Sequence, residues 1–120
     1  MNLDGQTCLV TGSSRGIGRG IAEDLAAHGA TVVVNYRSSA AEAEAVVESI
    51  EEDGGRAVAA QADVSKFDDV EAVRAEIHDA VGPIDVLVNN AGITVDKKFE
   101  NMTREDWDTV IDVNIGGVYN

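Results

Sequence analysis

The chain is poor in cysteine, in positive charge and in long apolar runs, and each shortage closes off a class of protein. One cysteine, Cys8, stands among 120 residues. It can make no internal disulfide, so a disulfide-stapled secreted domain is ruled out, and Cys8 reads as a small core residue. Nine basic residues face 22 acidic ones, for a net charge of -13. That balance repels nucleic acid and anionic membrane surfaces, so neither is expected as a partner. The longest apolar stretches are a few residues, such as Val32-Val33-Val34, against the roughly 20 needed to span a bilayer. The amino-terminal stretch has neither the basic start nor the apolar core of a secretion signal. A reducing, cytoplasmic setting is the expectation.

Hydrophobic residues still make up 44% of the chain, more than a disordered segment carries, and 120 residues are enough for one domain with a real core. The acids gather on two prospective helix surfaces, Glu42, Glu44, Glu48, Glu51 and Glu52, then Asp68, Asp69, Glu71, Glu76 and Asp79. Such a coat repels itself and is screened by salt, with a Debye length of about 8 Å at physiological strength and about 3 Å at 1 M. The bias resembles that of salt-adapted proteins and predicts a firmer fold at molar salt. Residues 5–41 depart from it, with Arg15, Arg19 and Arg37 against only Glu23 and Asp24. An anionic ligand needs such a stretch.

Inside that stretch lies the run Thr11-Gly12-Ser13-Ser14-Arg15-Gly16-Ile17-Gly18. Before it, Thr7-Cys8-Leu9-Val10 reads as a buried strand. After it, Ile17, Ile21 and Leu25 recur every four residues beside Ala22 and Ala26, as on one face of a helix. Glycines where a strand turns into a helix suit phosphate. The helix start carries unpaired N–H groups and about half a positive charge, and glycine lets the backbone come close. The alternative is an ordinary glycine turn. A Walker loop is excluded, because Arg19 follows Gly18 and no Lys-Ser/Thr pair exists. The Gly-x-Gly-x-x-Gly pattern fails at Ile21. What remains is Gly-x-x-x-Gly-x-Gly.

Strand and helix patterns alternate to the end. A second strand is predicted over 31–35, a helix from Ser39 carrying Ala43, Val46, Val47 and Ile50, and a third strand over 57–62. Ser65-Lys66-Phe67-Asp68 is similar to a capping box opening a helix that buries Val70, Val73, Ile77 and Val81. A fourth strand over 85–89, a loop over 90–102 and a helix opened by Thr103-x-x-Asp106 follow. Four such units with right-handed crossovers give the first half of a doubly wound, Rossmann-type α/β sheet of strand order 3-2-1-4. The whole chain, 1–120, reads as one domain that breaks off within its fourth helix.

Ligands bind such sheets at the strands' carboxyl ends, where the order reverses. The glycine loop, Asn35-Tyr36-Arg37, Asp63-Val64 and Asn89-Asn90-Ala91-Gly92 converge there. A carboxylate after the second strand would select NAD, whereas arginine accommodates the 2′-phosphate of NADP. Here Arg37 stands in that place, no acid appears until Glu42, and Arg15 could close on the same phosphate. NADP(H) is therefore the expected coenzyme, with a solvated surface arginine as the alternative for Arg37. Asp63 could accept from the adenine amino group or serve as a capping or loop carboxylate. The Asn89 to Gly92 run offers small residues for a flat ring and amides that tie loops together; such runs are also common Asx turns.

Thr11 to Gly18, Asp63-Val64 and Asn89 to Gly92, in this order and spacing, resemble the short-chain dehydrogenase/reductase family along the whole chain. Gly92 to Asp96, Met102-Thr103-x-x-x-Trp107 and Val113-Asn114 are similar to its β-ketoacyl thioester reductases, acting on acyl-carrier protein or CoA substrates with NADPH. The resemblance implies hydride transfer to a carbonyl and makes Gly12, Ser14, Arg15, Gly16, Ile17, Gly18, Asn35, Tyr36, Arg37, Asp63, Val64, Asn90, Ala91 and Gly92 the coenzyme-binding set. It implies a catalytic Asn114, holding a water in the proton relay. On physical grounds Asn114 shares the apolar stripe of Trp107, Val110, Ile111 and Val118, where a buried amide must find partners; neighbouring backbone could supply them. The family's Ser and Tyr-x-x-x-Lys are missing: Tyr36 is followed at that spacing by Ala40, and Lys66, Lys97 and Lys98 are preceded by Ala62, Ile93 and Thr94. The chain alone is thus expected to be inactive, and a non-catalytic dinucleotide-binding or assembly module is the rival reading. A phospho-receiver domain is rejected, because Thr11-Gly12 stands where its carboxylates belong. The fourth strand's edge and the fourth helix's stripe lack a partner within the chain, so self-association through them is expected.

Overall fold

The computed structural model describes residues 1–120. Four strands, β1 (Thr7–Val10), β2 (Thr31–Tyr36), β3 (Arg56–Gln61) and β4 (Val86–Val88), form one sheet in the order β3-β2-β1-β4. Every pairing is parallel, with Cys8 level with Val32 and Val86, and Val33 level with Val58. Helices α1 (Gly16–Ala27), α2 (Ala40–Glu52) and α3 (Phe67–Val81) make the crossovers. This is the doubly wound half-sheet that the sequence predicts.

The continuous apolar run of β2 explains why this strand lies inside. Val32, Val33, Val34 and Asn35 are all buried, as a parallel strand covered on both faces requires. Successive side chains point to opposite faces. Cys8, Val10, Val32 and Val34 pack with Ala22 and Ala26 of α1 and Ala43, Val46, Val47 and Ile50 of α2. Val33 faces the other way, with Ala60, Ala62, Val73 and Ile77 under α3. Each valine buried in this way stabilises the fold by about 1.5–3 kcal/mol. Cys8 is fully buried, and burial together with the nearby Asp85 charge pushes its thiol pKa up.

Several boundaries move. β2 extends one residue further, to Tyr36, and β3 begins at Arg56 and ends at Gln61 instead of running over 57–62. β4 is shorter than the predicted 85–89. Ser65 does not cap α3. Its hydroxyl and its N–H both go to Asp63 Oδ1, at 2.6 and 3.0 Å, leaving Lys66 at the helix start with no side-chain cap. Within α3 only Val73 and Ile77 are buried, while Val70 and Val81 lie at its margins. Thr103 does cap its helix, α4 (Arg104–Ile111). The Asp106 N–H donates to the Thr103 hydroxyl, and the Thr103 N–H donates to Asp106 Oδ2, each at 3.0 Å.

α4 then widens into a π turn, Asp112–Gly116, before one last α turn, Gly117–Tyr119. The 3.6-residue period does not anticipate this. Beyond Ile77 no residue is buried. β4 pairs on one side only, Leu87 is half exposed, and Trp107, Ile115 and Val118 are exposed along the last helix. No helix is long and apolar enough to cross a membrane.

Candidate functional site

Where β1 ends, the chain enters a tight loop that closes on the start of α1. Gly12 sits at φ +62, and a Cβ there would lie 2.9 Å from Ala91 Cα. A Cβ on Gly18 would lie 2.6 Å from the Gly12 carbonyl oxygen and would strike the Asn90 amide. Real Cβ atoms do not approach so closely, so both positions require glycine for packing, and Gly12 requires it for its left-handed backbone as well. The fully buried Ser13 donates from its hydroxyl to the Val10 carbonyl at 2.7 Å and braces the turn. Arg15, at the helix start, supplies no side-chain cap. The N–H groups of Gly16, Ile17 and Gly18 have no acceptor in the protein, which leaves them, with the positive end of the helix dipole, for an anion.

Two amides lock this loop to its neighbours. Asn90 Nδ2 donates to the Thr11 and Gly12 carbonyls, both at 3.0 Å. The Thr11 hydroxyl accepts from the Asn90 and Ala91 N–H groups, both at 3.0 Å. From the other side Asn35, 4% exposed, accepts the Gly12 N–H at Oδ1 and donates to Ala60 and Ala62. Thr11 and Ser13 are structural contributors that sequence reasoning passed over. A hydroxyl just past a buried strand is the signal that could have found them.

These elements bound a cleft of about 350 Å³ at the carboxyl edge of the sheet. Gly12, Ser14, Arg15, Ile17 and Gly18 form one wall; Gly16, the first residue of α1, is exposed and is not among the lining residues. Tyr36 and Arg37 follow β2; Asp63 and Val64 follow β3; Asn90, Ala91 and Gly92 follow β4. Asn35 reaches the wall, but its side-chain amide is spent inside the protein, on the Gly12 N–H and the Ala60 and Ala62 carbonyls. Ser38, Ser39, Ala62, Ile93 and Val113 complete the lining and were not anticipated. Ser38 and Ser39 were discoverable as the next residues past β2 on the ligand edge.

Arg15 and Arg37 are exposed and take no part in any of the five ion pairs of the chain. Both guanidinium groups therefore border the cleft uncommitted. For Asp63, burial alone would raise the carboxyl. The Ser65 hydroxyl and N–H bonds, with the charges of Lys66 and Arg37, outweigh it and hold that group below the usual carboxylate range. Asp63 is thus an ionised acceptor at neutral pH, anchored through Oδ1.

Asn114 lies in the π turn. It was expected to be buried on the apolar stripe, and it is exposed instead. Its amide is nonetheless paired with Ile93 through both its oxygen and its nitrogen, which leaves one N–H and one oxygen lone pair over. Oδ1 accepts the Ile93 N–H and Nδ2 donates to the Ile93 carbonyl, both at 2.9 Å. This two-bond pairing holds the loop after Gly92 against the last helix, and a Cβ on Gly92 would meet Asn114 Oδ1 at 3.4 Å. No group of three or more metal-ligating side chains exists. The arrangement offers open N–H groups and two unpaired guanidinium groups to an anionic ligand, with the small residues Ala91 and Gly92 in the same lining.

Residues 6–120 match the family model described as short chain dehydrogenase. The chain is 50% identical over 115 residues to a 3-oxoacyl-acyl-carrier-protein reductase of Staphylococcus epidermidis, covering 96% of this chain and 47% of that protein. It is 50% identical over 117 residues to the Synechocystis protein of the same name, covering 98% and 47%. It is similar to the crystal structure of a short chain dehydrogenase from Burkholderia cenocepacia in complex with NADP. That comparison gives a TM-score of 0.93 at 44% identity, over 99% of this chain and 49% of the other. The chain thus spans about half the length of the relatives it matches.

Proposed function

Because this chain belongs to the short-chain dehydrogenase family, we propose that it forms the NADP(H)-binding half of a reductase for β-ketoacyl thioesters. The substrate would be carried on acyl-carrier protein or CoA and reduced to the 3-hydroxyacyl form. The observation that carries this reading is the pair of uncommitted guanidinium groups, Arg15 and Arg37, flanking a glycine-built helix start with open N–H groups. The glycine loop would take the diphosphate, and Arg15 and Arg37 the 2′-phosphate, through bidentate, charge-assisted bonds. Asp63 and Val64 would border the adenine, while Tyr36 and Ser14 close the ribose side. Asn90, Ala91 and Gly92 would support the ring of the nicotinamide. The bound coenzyme would supply a hydride to the substrate carbonyl.

Asn114 would work from its exposed turn, with the Ile93 backbone fixed by two bonds, to order a water in a proton relay. The acid that protonates the product oxygen is not among residues 1–120, since no Tyr-x-x-x-Lys occurs in them. We therefore expect these residues alone to bind coenzyme but not to turn over. The same gap supports a second reading, a non-catalytic coenzyme-binding module. Consumption of NADPH with acetoacetyl-CoA separates the two. Turnover by the full-length protein and none by residues 1–120 supports the reductase. A full-length protein that binds NADPH but reduces no β-ketoacyl thioester overturns it. The open edge of β4 and the exposed Trp107, Ile115 and Val118 also support self-association of the isolated chain. A monomeric mass by light scattering at high concentration would overturn that part.

A further inference from the structure

We propose that Asn35 is the positioning residue of the phosphate loop, acting through Gly12 and Ser13 and never touching the coenzyme itself. Position 35 follows three buried valines in a strand covered on both faces, where pattern alone calls for another apolar side chain. An amide there must be fully satisfied, and this one is. Oδ1 accepts the Gly12 N–H at 3.1 Å; Nδ2 donates to the Ala60 carbonyl at 3.1 Å and the Ala62 carbonyl at 3.4 Å. The Asn35 main-chain carbonyl accepts the next loop N–H, that of Ser13, at 2.9 Å. One residue thus holds two consecutive N–H groups of the loop and ties them to the end of β3.

The geometry has a direct consequence for anion binding. With the Gly12 and Ser13 N–H groups turned inward to Asn35, the open donors are those at the start of α1, among them Gly16, Ile17 and Gly18. Asn35 therefore decides which N–H groups of the turn face the cleft. No other side-chain chemistry of this size does the same work. Aspartate cannot donate to two carbonyls when ionised, and leucine offers the Gly12 N–H nothing. Once that bond is lost, the Gly12 N–H has no acceptor, and the positive-φ turn is held only by its neighbours: the Ser13 bonds to the Val10 and Asn35 carbonyls and the Asn90 bonds to carbonyls on its opposite side.

The inference rests on the coenzyme reading, and its test distinguishes the two. Asn35→Leu and the milder Asn35→Ser are made in the full-length protein. Each is titrated with NADPH and with adenosine 2′-phosphate, which lacks the diphosphate, well below the melting temperature. Amide exchange at Gly12 is followed without ligand. The expected result is at least a tenfold rise in Kd for NADPH, a Kd for adenosine 2′-phosphate within twofold of wild type, and faster Gly12 exchange. If Asn35→Leu does not fold, the Asn35→Ser titrations decide. Two results overturn the inference alone: variants that bind NADPH within twofold of a binding wild type, or an equal loss for both ligands, which makes Asn35 a general structural residue. A folded wild type that binds no NADPH overturns the coenzyme reading itself, and this inference with it.

Discussion

Replacing Arg37 with alanine is expected to weaken NADPH binding by roughly 12- to 140-fold and to leave NADH binding within about twofold. The magnitude follows from the surroundings of the side chain. Arg37 is exposed and pairs with no carboxylate, so its removal disturbs no ion pair of the apo protein. At 4 Å a unit charge pair near a protein surface is worth about 4 kcal/mol before desolvation. Exposure, screening and the ordering of a long side chain reduce that, as they do for surface pairs generally. Hydrogen bonds to charged groups retain a net of about 1.5–3 kcal/mol, and each 1.4 kcal/mol is a factor of ten in Kd, which gives the range above. NADH has no 2′-phosphate and so loses nothing at this place. Arg15→Ala should act in the same direction, and the double variant should lose less than the product of the two factors, because both groups would grip one phosphate. Titration calorimetry of the full-length protein with both reduced coenzymes measures all of this. The preference should also shrink between 0.05 and about 1 M salt as the Debye length contracts. Equal weakening of NADPH and NADH by Arg37→Ala would refute the assignment of this group to the 2′-phosphate.

Gly18→Ala should cost at least tenfold in NADPH affinity and lower the melting temperature, because the new methyl lies 2.6 Å from the Gly12 carbonyl oxygen and 2.9 Å from Ser13 Cα; an unchanged Kd would show that the loop can yield. Asp63 carries a depressed carboxyl pKa in the folded chain, so the bonds it accepts stabilise the fold above the unfolded pKa near 4 and are lost as pH falls through the lower folded value. The melting temperature of wild type should therefore exceed that of Asp63→Asn at about pH 6, and the gap should narrow as pH falls below the unfolded pKa near 4; a gap that did not narrow with acid would refute the account. The acid excess on α2 and α3 predicts a melting temperature that rises between 0.1 M and about 2 M KCl; a fall would show that charge repulsion is not limiting.

Strand order and all four strands could be read from the residues to within a residue or two, because buried β-branched runs and glycine punctuation are local signals. What failed were competitions between local signals. Ser65 has the right spacing for a cap, yet Asp63, two residues upstream, offers its hydroxyl and N–H a charged acceptor at once and wins. Thr103 has no such rival, and its capping box forms. Asn114 was expected to be buried on the apolar stripe, but nothing in the chain covers that stripe, with Trp107 and Val118 exposed as well, and the π turn at Asp112–Gly116 also interrupts the 3.6-residue count. The cleft was foreseeable from topology, whereas the inward role of Asn35 was not. It depends on Gly12, Ala60 and Ala62, which lie near it only after the sheet has formed.

The latch between Thr11 and Asn90 joins residues 79 positions apart. On the ribosome, the glycine turn and its helix emerge early, while β4 and its loop arrive only after three crossovers have been made. Until Asn90 and Ala91 have cleared the exit tunnel and docked beside β1, the turn lacks its second wall. A nascent chain therefore closes this cleft only once β4 has paired beside β1, and the glycine turn that is made first is completed by a segment made much later than its own helix.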